Sequence, residues 1–275
     1  MKTSVLTCLV VLWVSSTWTL DTRVYQGVAS HRLEGDFLSI VSCGYRFHCA
    51  SLCLMSTQCE AFNWAVNTSL NNCQLIQYPV AVSLVQDKGY DVYMDKEVAV
   101  PVRQNVYGVW GTWSQDMMCQ AGSYVYGYSV WYDYYDGSSM TPDDCGVTGV
   151  MFLCRTQQET PSKNFSYKQL IAAGVQKDTV TCSVGNFIQD IKIRFAPPKG
   201  SKLDDDALNN VEFRCQDNTV LNSIGTVTDS STGTWSNWTS CVPGTVLCGA
   251  RVMYEALGQS DNTCCNEILM LCCFL

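Results

Sequence analysis

The chain has 275 residues, enough for one large or two ordinary domains. Its formal net charge is −8, only 15% of residues are charged and no basic run occurs, which argues against a nucleic-acid partner and suits a soluble extracellular protein. Seventeen cysteines amid abundant Gly, Ser, Thr and aromatic residues favour short strands and turns over long amphipathic helices.

Met1-Lys2-Thr3 is followed by an apolar run from Val5 to Val14 and by the small cluster Ser15-Ser16-Thr17. A charged start, an apolar middle and small residues near a cleavage point make a secretory signal, so residues 1–19 are assigned to one. Cleavage is expected after Thr17 or Thr19. The run is too short to span a bilayer comfortably, and no later stretch is long enough. Cys8 falls within the signal, leaving an even set of cysteines, as disulfides in an oxidising compartment require. Three acceptor sequons agree with secretion: Asn67-Thr-Ser, Asn164-Phe-Ser and Asn237-Trp-Thr. The last residues, Cys272-Cys273-Phe274-Leu275, fit a prenylation pattern. A secreted chain does not meet cytosolic prenyl transferases, and disulfide pairing is the better use of those cysteines.

Residues 20–98 form a first domain. It opens with strand-like Thr22-Arg-Val-Tyr and a turn at Glu34-Gly35, then gathers Cys43, Cys49, Cys53, Cys59 and Cys73. Cys49 and Cys53, four apart, share one face of a short helix. Glu60–Trp64, Cys73–Ile76 and Tyr90–Met94 read as strands. Cys49-x3-Cys53-x5-Cys59-x-Ala-Phe-Asn-Trp, then Cys73-Gln-Leu and Gly89-Tyr-Asp-Val-Tyr, resemble the PAN/Apple domain. The resemblance implies a helix on a small antiparallel sheet, bridges Cys49–Cys73 and Cys53–Cys59, and binding of proteins or carbohydrates without catalysis. Cys43 is left over. Ala99-Val-Pro-Val-Arg103 reads as a linker, because Pro101 disfavours a continuing central strand.

The remaining residues, 99–275, carry one pattern three times: Pro142–Cys154, Leu203–Cys215 and Ser260–Cys272. Counting back from the closing cysteine, each copy has Asp eleven residues before, Asp or Asn ten before, and Asn or Thr six before. Its last residues form a strand. Front cysteines Cys119, Cys182 and Cys241 precede the closing ones by 35, 33 and 31 residues, a regularity that predicts one bridge per copy. Middle strands alternate: Ile191, Ile193 and Phe195 take one face, Lys192 and Arg194 the other. One wet and one apolar face means antiparallel sheets around a shared core, and three such sheets bury their inner faces as a three-sided prism.

Trp110-Gly-Thr-Trp113 with Cys119, Asp204-Asp205 with Ala207-Leu-Asn209 and Cys215, and Gly233-Thr-Trp235 with Cys241-Val-Pro-Gly, Cys248-Gly249, Asp261-Asn262-Thr263, Asn266 and Cys272-Cys273 then resemble the vitelline membrane outer layer protein I family. The resemblance implies a β-prism with pseudo-threefold symmetry and a fourth bridge involving Cys248 and Cys273. The expected fold class is therefore mainly β, a small α+β module followed by a three-sheet β-prism. Copy two departs from the pattern, with Ala173-Gly-Val-Gln at its start, and Thr148 stands in copy one where the others have Asn209 and Asn266.

The acidic loops offer Asp143, Asp144, Asp204, Asp205, Asp206 and Asp261 for a cation or for sugar hydroxyls, although Asx residues in tight turns more commonly accept backbone N–H groups. Asp143, Asp144, Asp204, Asp205 and Asp261, with Tyr132 and Tyr134 of the aromatic run Tyr124–Tyr135, are the candidate carbohydrate-binding residues. Trp110, Trp113, Trp235 and Trp238 are expected to pack in the core. Cys145 and Cys264 hold nearly equivalent loop positions, so a cross-link from Cys145 to Cys264 or Cys265 is expected. A cysteine left over, such as Cys43, is then available for an inter-chain bridge. Only His31 and His48 exist and both precede the repeats, which excludes a Ser-His-Asp or Cys-His system there. No metal, cofactor or catalytic residue is assigned. The expected role is extracellular carbohydrate or glycoprotein binding in a coat, matrix or secretion. The alternative is glycan processing by the acidic loops.

Overall fold

The computed structural model describes residues 4–14, 17–34, 37–56, 58–66, 68, 72–77, 83–95, 98–104, 110–133, 146–168, 174–196, 208–225, 233–255 and 263–275. The chain divides into two compact units, Met1–Pro101 and Val102–Cys273.

In the first unit, β1 (Ser4–Val14), β2 (Thr17–Glu34), β3 (Phe37–Val41), β4 (Ala61–Ala65), β5 (Cys73–Ile76) and β6 (Ser83–Asp95) form one sheet in the order β1-β2-β6-β4-β5-β3. The segment read as a signal is thus an edge strand of the intact chain, paired antiparallel from Ser4↔Gly27 to Val14↔Thr17. Helix α1 (Arg46–Met55) buries Cys49, Ala50, Cys53 and Leu54, whose spacing makes one face. Cys49–Cys73 fastens that face to β5, and Cys53–Cys59 closes the turn into β4. Asn72 takes the Cys43 N–H at 2.8 Å and donates to the Cys43 carbonyl at 2.9 Å, so the chain between β3 and the helix is satisfied without a bridge from Cys43.

In the second unit the strands are short and alternate as the sequence requires. They are β7 (Val100–Val102), β8 (Thr112–Trp113), β9 (Met117–Met118), β10 (Ser123–Tyr132), β11 (Val147–Thr156), β12 (Phe165–Lys168), β13 (Val175–Gln176), β14 (Val180–Thr181), β15 (Ile188–Phe195), β16 (Leu208–Cys215), β17 (Val220–Leu221), β18 (Thr234–Trp235), β19 (Thr239–Ser240), β20 (Thr245–Tyr254) and β21 (Cys265–Phe274). They make three sheets: β12-β11-β10-β13 with β14 also on β10, β17-β16-β15-β18 with β19 also on β15, and β7-β21-β20-β8 with β9 also on β20. Each sheet is built on a middle and a closing strand from one copy. Its short lead-in strands come from the next copy. β13 and β14 precede copy two yet pair with β10, and β18 and β19 precede copy three yet pair with β15. β8 and β9 precede copy one and pair with β20 of copy three, which closes the ring.

Two glycine positions make this possible. Gly122, Gly185 and Gly244 stand three residues after each front cysteine with φ of +76°, +81° and +86°, at the turn that starts each middle strand. Gly111, Gly174 and Gly233 lie against the ends of the middle strands. A Cβ there would come within 2.2 Å of the Tyr254 carbonyl, 2.2 Å of Thr148 Oγ1 and 2.7 Å of the Phe195 carbonyl respectively. Copy two, lacking the tryptophan motif, keeps this close approach through Gly174.

The core is the shared inner side of the sheets: Val125, Val130, Val150, Phe152, Ile191, Ile193, Val211, Phe213, Val252 and Leu269 are all fully buried. Phe213 meets Tyr128 edge-on at 4.6 Å and Phe152 at 5.6 Å, tying the first sheet to the second. The buried Tyr128 hydroxyl lies 2.9 Å from the Val211 carbonyl and 3.1 Å from the Leu221 carbonyl, and accepts the Ser223 N–H at 3.0 Å. The bridges Cys119–Cys154, Cys182–Cys215 and Cys241–Cys272 join front to closing cysteine in every copy, and Cys248–Cys273 adds a fourth.

The tryptophans correct one expectation. Trp110 and Trp235 are 47% and 37% exposed, and Trp113 and Trp238 are half-buried on the outer side. Lead-in strands are sheet edges, and the rings of Trp113, Trp235 and Trp238 cover the cations Arg103, Lys192 and Arg214 rather than the core.

Candidate functional site

The strand ends that flank the acidic loops lie at one end of the prism. Asp143, Asp144, Asp204, Asp205, Asp206, Asp261, Tyr134 and Cys145 lie outside the described residues, but the strand ends that carry these loops are described. Gly146, at φ +62°, abuts the next copy: a Cβ on it would be 2.9 Å from the Leu208 carbonyl and 3.0 Å from Asn209 Oδ1. Tyr167 of β12 stacks on Tyr254, the last residue of β20, with ring centroids 4.9 Å apart. Copy one therefore neighbours copy two through Gly146 and copy three through Tyr167, so the strand ends that flank the three loops lie at the same end.

These loop bases are built of polar groups. The Glu255 carboxylate accepts the Thr263 N–H at 3.1 Å and its hydroxyl at 2.8 Å, and Asn266 donates to Thr263 Oγ1 at 2.7 Å. The Glu255 N–H donates to the Cys264 carbonyl at 2.9 Å, and in copy one Asp133 does the same to Gly146 at 2.8 Å. Two buried oxygens at this end, Thr148 Oγ1 and Asn266 Oδ1, have no hydrogen-bond partner among the described residues. Cys264 adopts φ +51° and is disulfide-bonded to a cysteine that is not among the described residues.

On the sheet faces the carboxylates are engaged. Asp190 pairs with Arg214 at 2.7 Å, Glu212 with Lys192 at 2.8 Å, and Asp116 with Arg251. Glu267 is fully buried and takes both Arg103 nitrogens, Nε and Nη2, at 2.7 Å each. Burial pushes the Glu267 carboxyl up, and the Arg103 guanidinium opposes that shift. Among the described residues no group of His, Cys, Asp and Glu is arranged to hold a metal ion. The outer face of the second sheet carries a cation–aromatic ladder. Lys192 Nζ lies 4.4 Å from the Trp235 ring and 5.1 Å from Trp238, and Arg214 lies 4.7 Å from Trp238. The wet face of β15, read from Lys192 and Arg194 alternating with isoleucines, was the sequence signal for it. Nothing in the spacing pointed to the Arg103–Glu267 pair.

Tyr132, a candidate for sugar stacking, is only 6% exposed, with Lys177 Nζ 5.9 Å from its ring. A register shift between Val125 and Gly127 explains this. Tyr124 and Tyr126 stay half-buried on the outer side, and after the bulge Tyr128, Val130 and Tyr132 turn inward. Asn67 lies outside the described residues, whereas Asn164 and Asn237 are exposed. The free cysteines among the described residues are Cys43 and Cys265, both buried, and burial pushes the Cys265 thiol up to about 12. A bridge from either to another chain requires the fold around it to open.

Residues 100–275 match the family model for vitelline membrane outer layer protein I. The chain is 28% identical over 167 residues to a vitelline membrane outer layer protein 1 homolog of Mus musculus, covering 60% of this chain and 79% of that relative. It is 26% identical over 168 residues to the Homo sapiens homolog, with 60% and 79% covered. Among solved structures, Calsepa lectin in complex with a bisected glycan is similar at a TM-score of 0.38 and 11% identity, covering 63% of this chain and 95% of that one. A likeness of that size bears on neither ligand nor mechanism. Carried by three cyclically closed copies of one strand pattern, the match over residues 100–275 shows that the chain belongs to the vitelline membrane outer layer protein I family.

Proposed function

We propose that the chain is a secreted, non-catalytic protein of an extracellular coat, matrix or secretion. It binds carbohydrate or glycoprotein through the loop end of the β-prism. Residues 1–19 are removed on export, residues 20–98 form a PAN/Apple-like binding module, and Asp143, Asp144, Asp204, Asp205, Asp261 and Tyr134 contact the ligand. The observation that carries this reading is the convergence of the three loop bases on one end of a disulfide-fastened frame. Loops held together by a rigid scaffold are where binding surfaces are built. The density of disulfides fits an oxidising compartment. No histidine is present beyond the first unit, so the prism has no imidazole for acid–base work.

A glycan array with the secreted protein tests the reading, with turnover followed on chito-oligosaccharides. Binding without turnover is expected, weakened by Asp204→Asn with Asp205→Asn. No binding to any glycan overturns it. Turnover abolished by the same double substitution replaces it with the glycan-processing alternative.

A further inference from the structure

The eight tryptophans of the chain include two pairs set three residues apart, Trp110-Gly-Thr-Trp113 and Trp235-Ser-Asn-Trp238. Trp13, Trp18, Trp64 and Trp131 have no tryptophan at that spacing. The repeat of the prism accounts for one member of each pair. Trp113 of β8 and Trp235 of β18 hold the same place, each closing a Gly-Thr-Trp stretch and pairing with Met253 and Arg194 respectively. The other member is added on opposite sides, Trp110 before the shared position in copy one and Trp238 after it in copy three. Copy two reads Gly174-Val-Gln there and makes the same lead-in pairing. That pairing therefore does not require tryptophan, yet the spacing of three recurs.

In each pair the first ring is the exposed one. Trp110 and Trp235 are 47% and 37% exposed, whereas Trp113 and Trp238 are half-buried. Trp113 lies under Arg103 at 5.5 Å, and Trp238 under Arg214 at 4.7 Å and Lys192 at 5.1 Å. Residues three apart on a regular strand face opposite sides. Here the pairings Trp235↔Arg194 and Thr239↔Ile191 differ in register by one residue, and the bulge between them brings both indoles of copy three to Lys192. Lys192 Nζ sits over the Trp235 ring at 4.4 Å, so the cation uses a face of the indole. A substituent on the pyrrole carbon C2 lies at the ring edge, in the ring plane, and leaves that face to the cation.

In the secretory route, C-mannosyl transfer takes the first tryptophan of a Trp-x-x-Trp pair as its acceptor. Indole C3 already bears Cβ, which leaves C2 as the electron-rich ring carbon beside the nitrogen. We propose that Trp235 carries a mannose joined to C2 by a carbon–carbon bond, and that Trp110 carries a second. In the transfer, C1 of a polyprenyl-phosphate-linked mannose parts from its phosphate oxygen and bonds to indole C2. C2 loses its proton, and polyprenyl phosphate leaves. The inference rests on the secretion part of the reading above and is independent of what the loops bind.

The test is the full chain made in two mammalian secretory lines, one of them lacking the C-mannosyltransferase. Both products are mapped by mass spectrometry after enzymatic removal of N-glycans. The expected result is one added hexose on Trp235 and one on Trp110, absent from the deficient line, with Trp64 and Trp131 bare. On fragmentation the sugar should break across its own ring and leave carbon on the indole, because the carbon–carbon bond outlasts a glycosidic one. Trp238→Ala should reduce occupancy of Trp235 to background and leave Trp110 unchanged, and Trp113→Ala should do the reverse. Should either variant be retained, the chain is mapped from the endoplasmic reticulum, where transfer precedes export. A hexose that leaves whole, as an O-linked sugar on Ser236 or Thr239 does, overturns the inference. A secreted chain with either tryptophan bare overturns it for that residue alone. A chain that is never exported and is unmodified overturns the secretion reading with it.

Discussion

The second and third sheets of the prism follow one plan and are fastened differently. The second sheet draws β15 to β19 from a continuous run of chain, and its outer face is held by Lys192–Glu212 and Arg214–Asp190 beneath two indoles. The third pairs β20 with lead-in strands laid down before copy one. It has the extra bridge Cys248–Cys273 and the buried ion pair Arg103–Glu267, which joins the start of the unit to its last strand. Neither device has a described counterpart in the second sheet. Closing a ring between distant parts of a chain costs loop entropy, and the closing sheet offsets it with added fastenings. The exposed ladder of the second sheet, by contrast, contributes little per pair.

Removing the added bridge should break the comparison most. Cys248→Ser with Cys273→Ser is expected to cost about 3–4 kcal/mol in denaturant unfolding, against about 2 kcal/mol for Cys53→Ser with Cys59→Ser, whose loop is shorter. Next comes Glu267→Ala, expected to cost about 3 kcal/mol because Arg103 is left without its carboxylate. Its pH dependence has a definite sign. Glu267 is raised by burial, so its proton binds more readily in the folded than in the unfolded chain. That contribution is complete below the ordinary glutamate value and is lost as pH rises through the folded value. The stability of the wild type relative to Glu267→Gln should therefore be greatest in acid and decline toward neutrality, read as a difference in Tm between paired scans. An unchanged difference from pH 3 to pH 7 would remove burial as the cause.

The lead-in glycines sharpen the contrast further. Gly111→Ala in the third sheet sets a Cβ against the Tyr254 backbone at φ +100°, and should cost about 2–3 kcal/mol. Gly174→Ala in the first meets the Thr148 hydroxyl, a side-chain atom, and should cost about 1 kcal/mol less, measured by thermal unfolding. Smallest is the surface ladder. A double-mutant cycle on Lys192 and Glu212 should give a coupling of about 1 kcal/mol or less that shrinks in high salt.

The repeat was legible because a closing cysteine gave each copy a fixed origin. Counting from Cys154, Cys215 and Cys272 aligned Thr148, Asn209 and Asn266, which the structure sets at equivalent strand starts. Ring closure was not legible, because strand pairing between Met118 and Gly249 leaves no local pattern in either segment. Tyr132 was misread for a different reason. Membership of an aromatic run does not say which side a ring takes, and a bulge between Val125 and Gly127 resets which side faces inward. The tryptophans were misread because their size suggested core, while their edge strands put them over Lys192, Arg214 and Arg103. At the loop end, sequence and structure meet at the strand ends, with Gly146 against Asn209 and Glu255 holding Thr263.

Ring closure also sets a timetable. During synthesis β10 and β11 can pair as soon as both have emerged, and β15 with β16 soon after. β8 and β9 must wait for β20, and until then Trp113, Met117 and Met118 sit on strands with unused backbone donors and acceptors. Cys119 lies beside this waiting pair and can bridge to Cys154 early. That bridge anchors one end of the unpaired segment while the other two copies are made. The chain thus carries unpaired edge strands through about half of its own translation, and a folding helper that recognises such edges has its longest opportunity there.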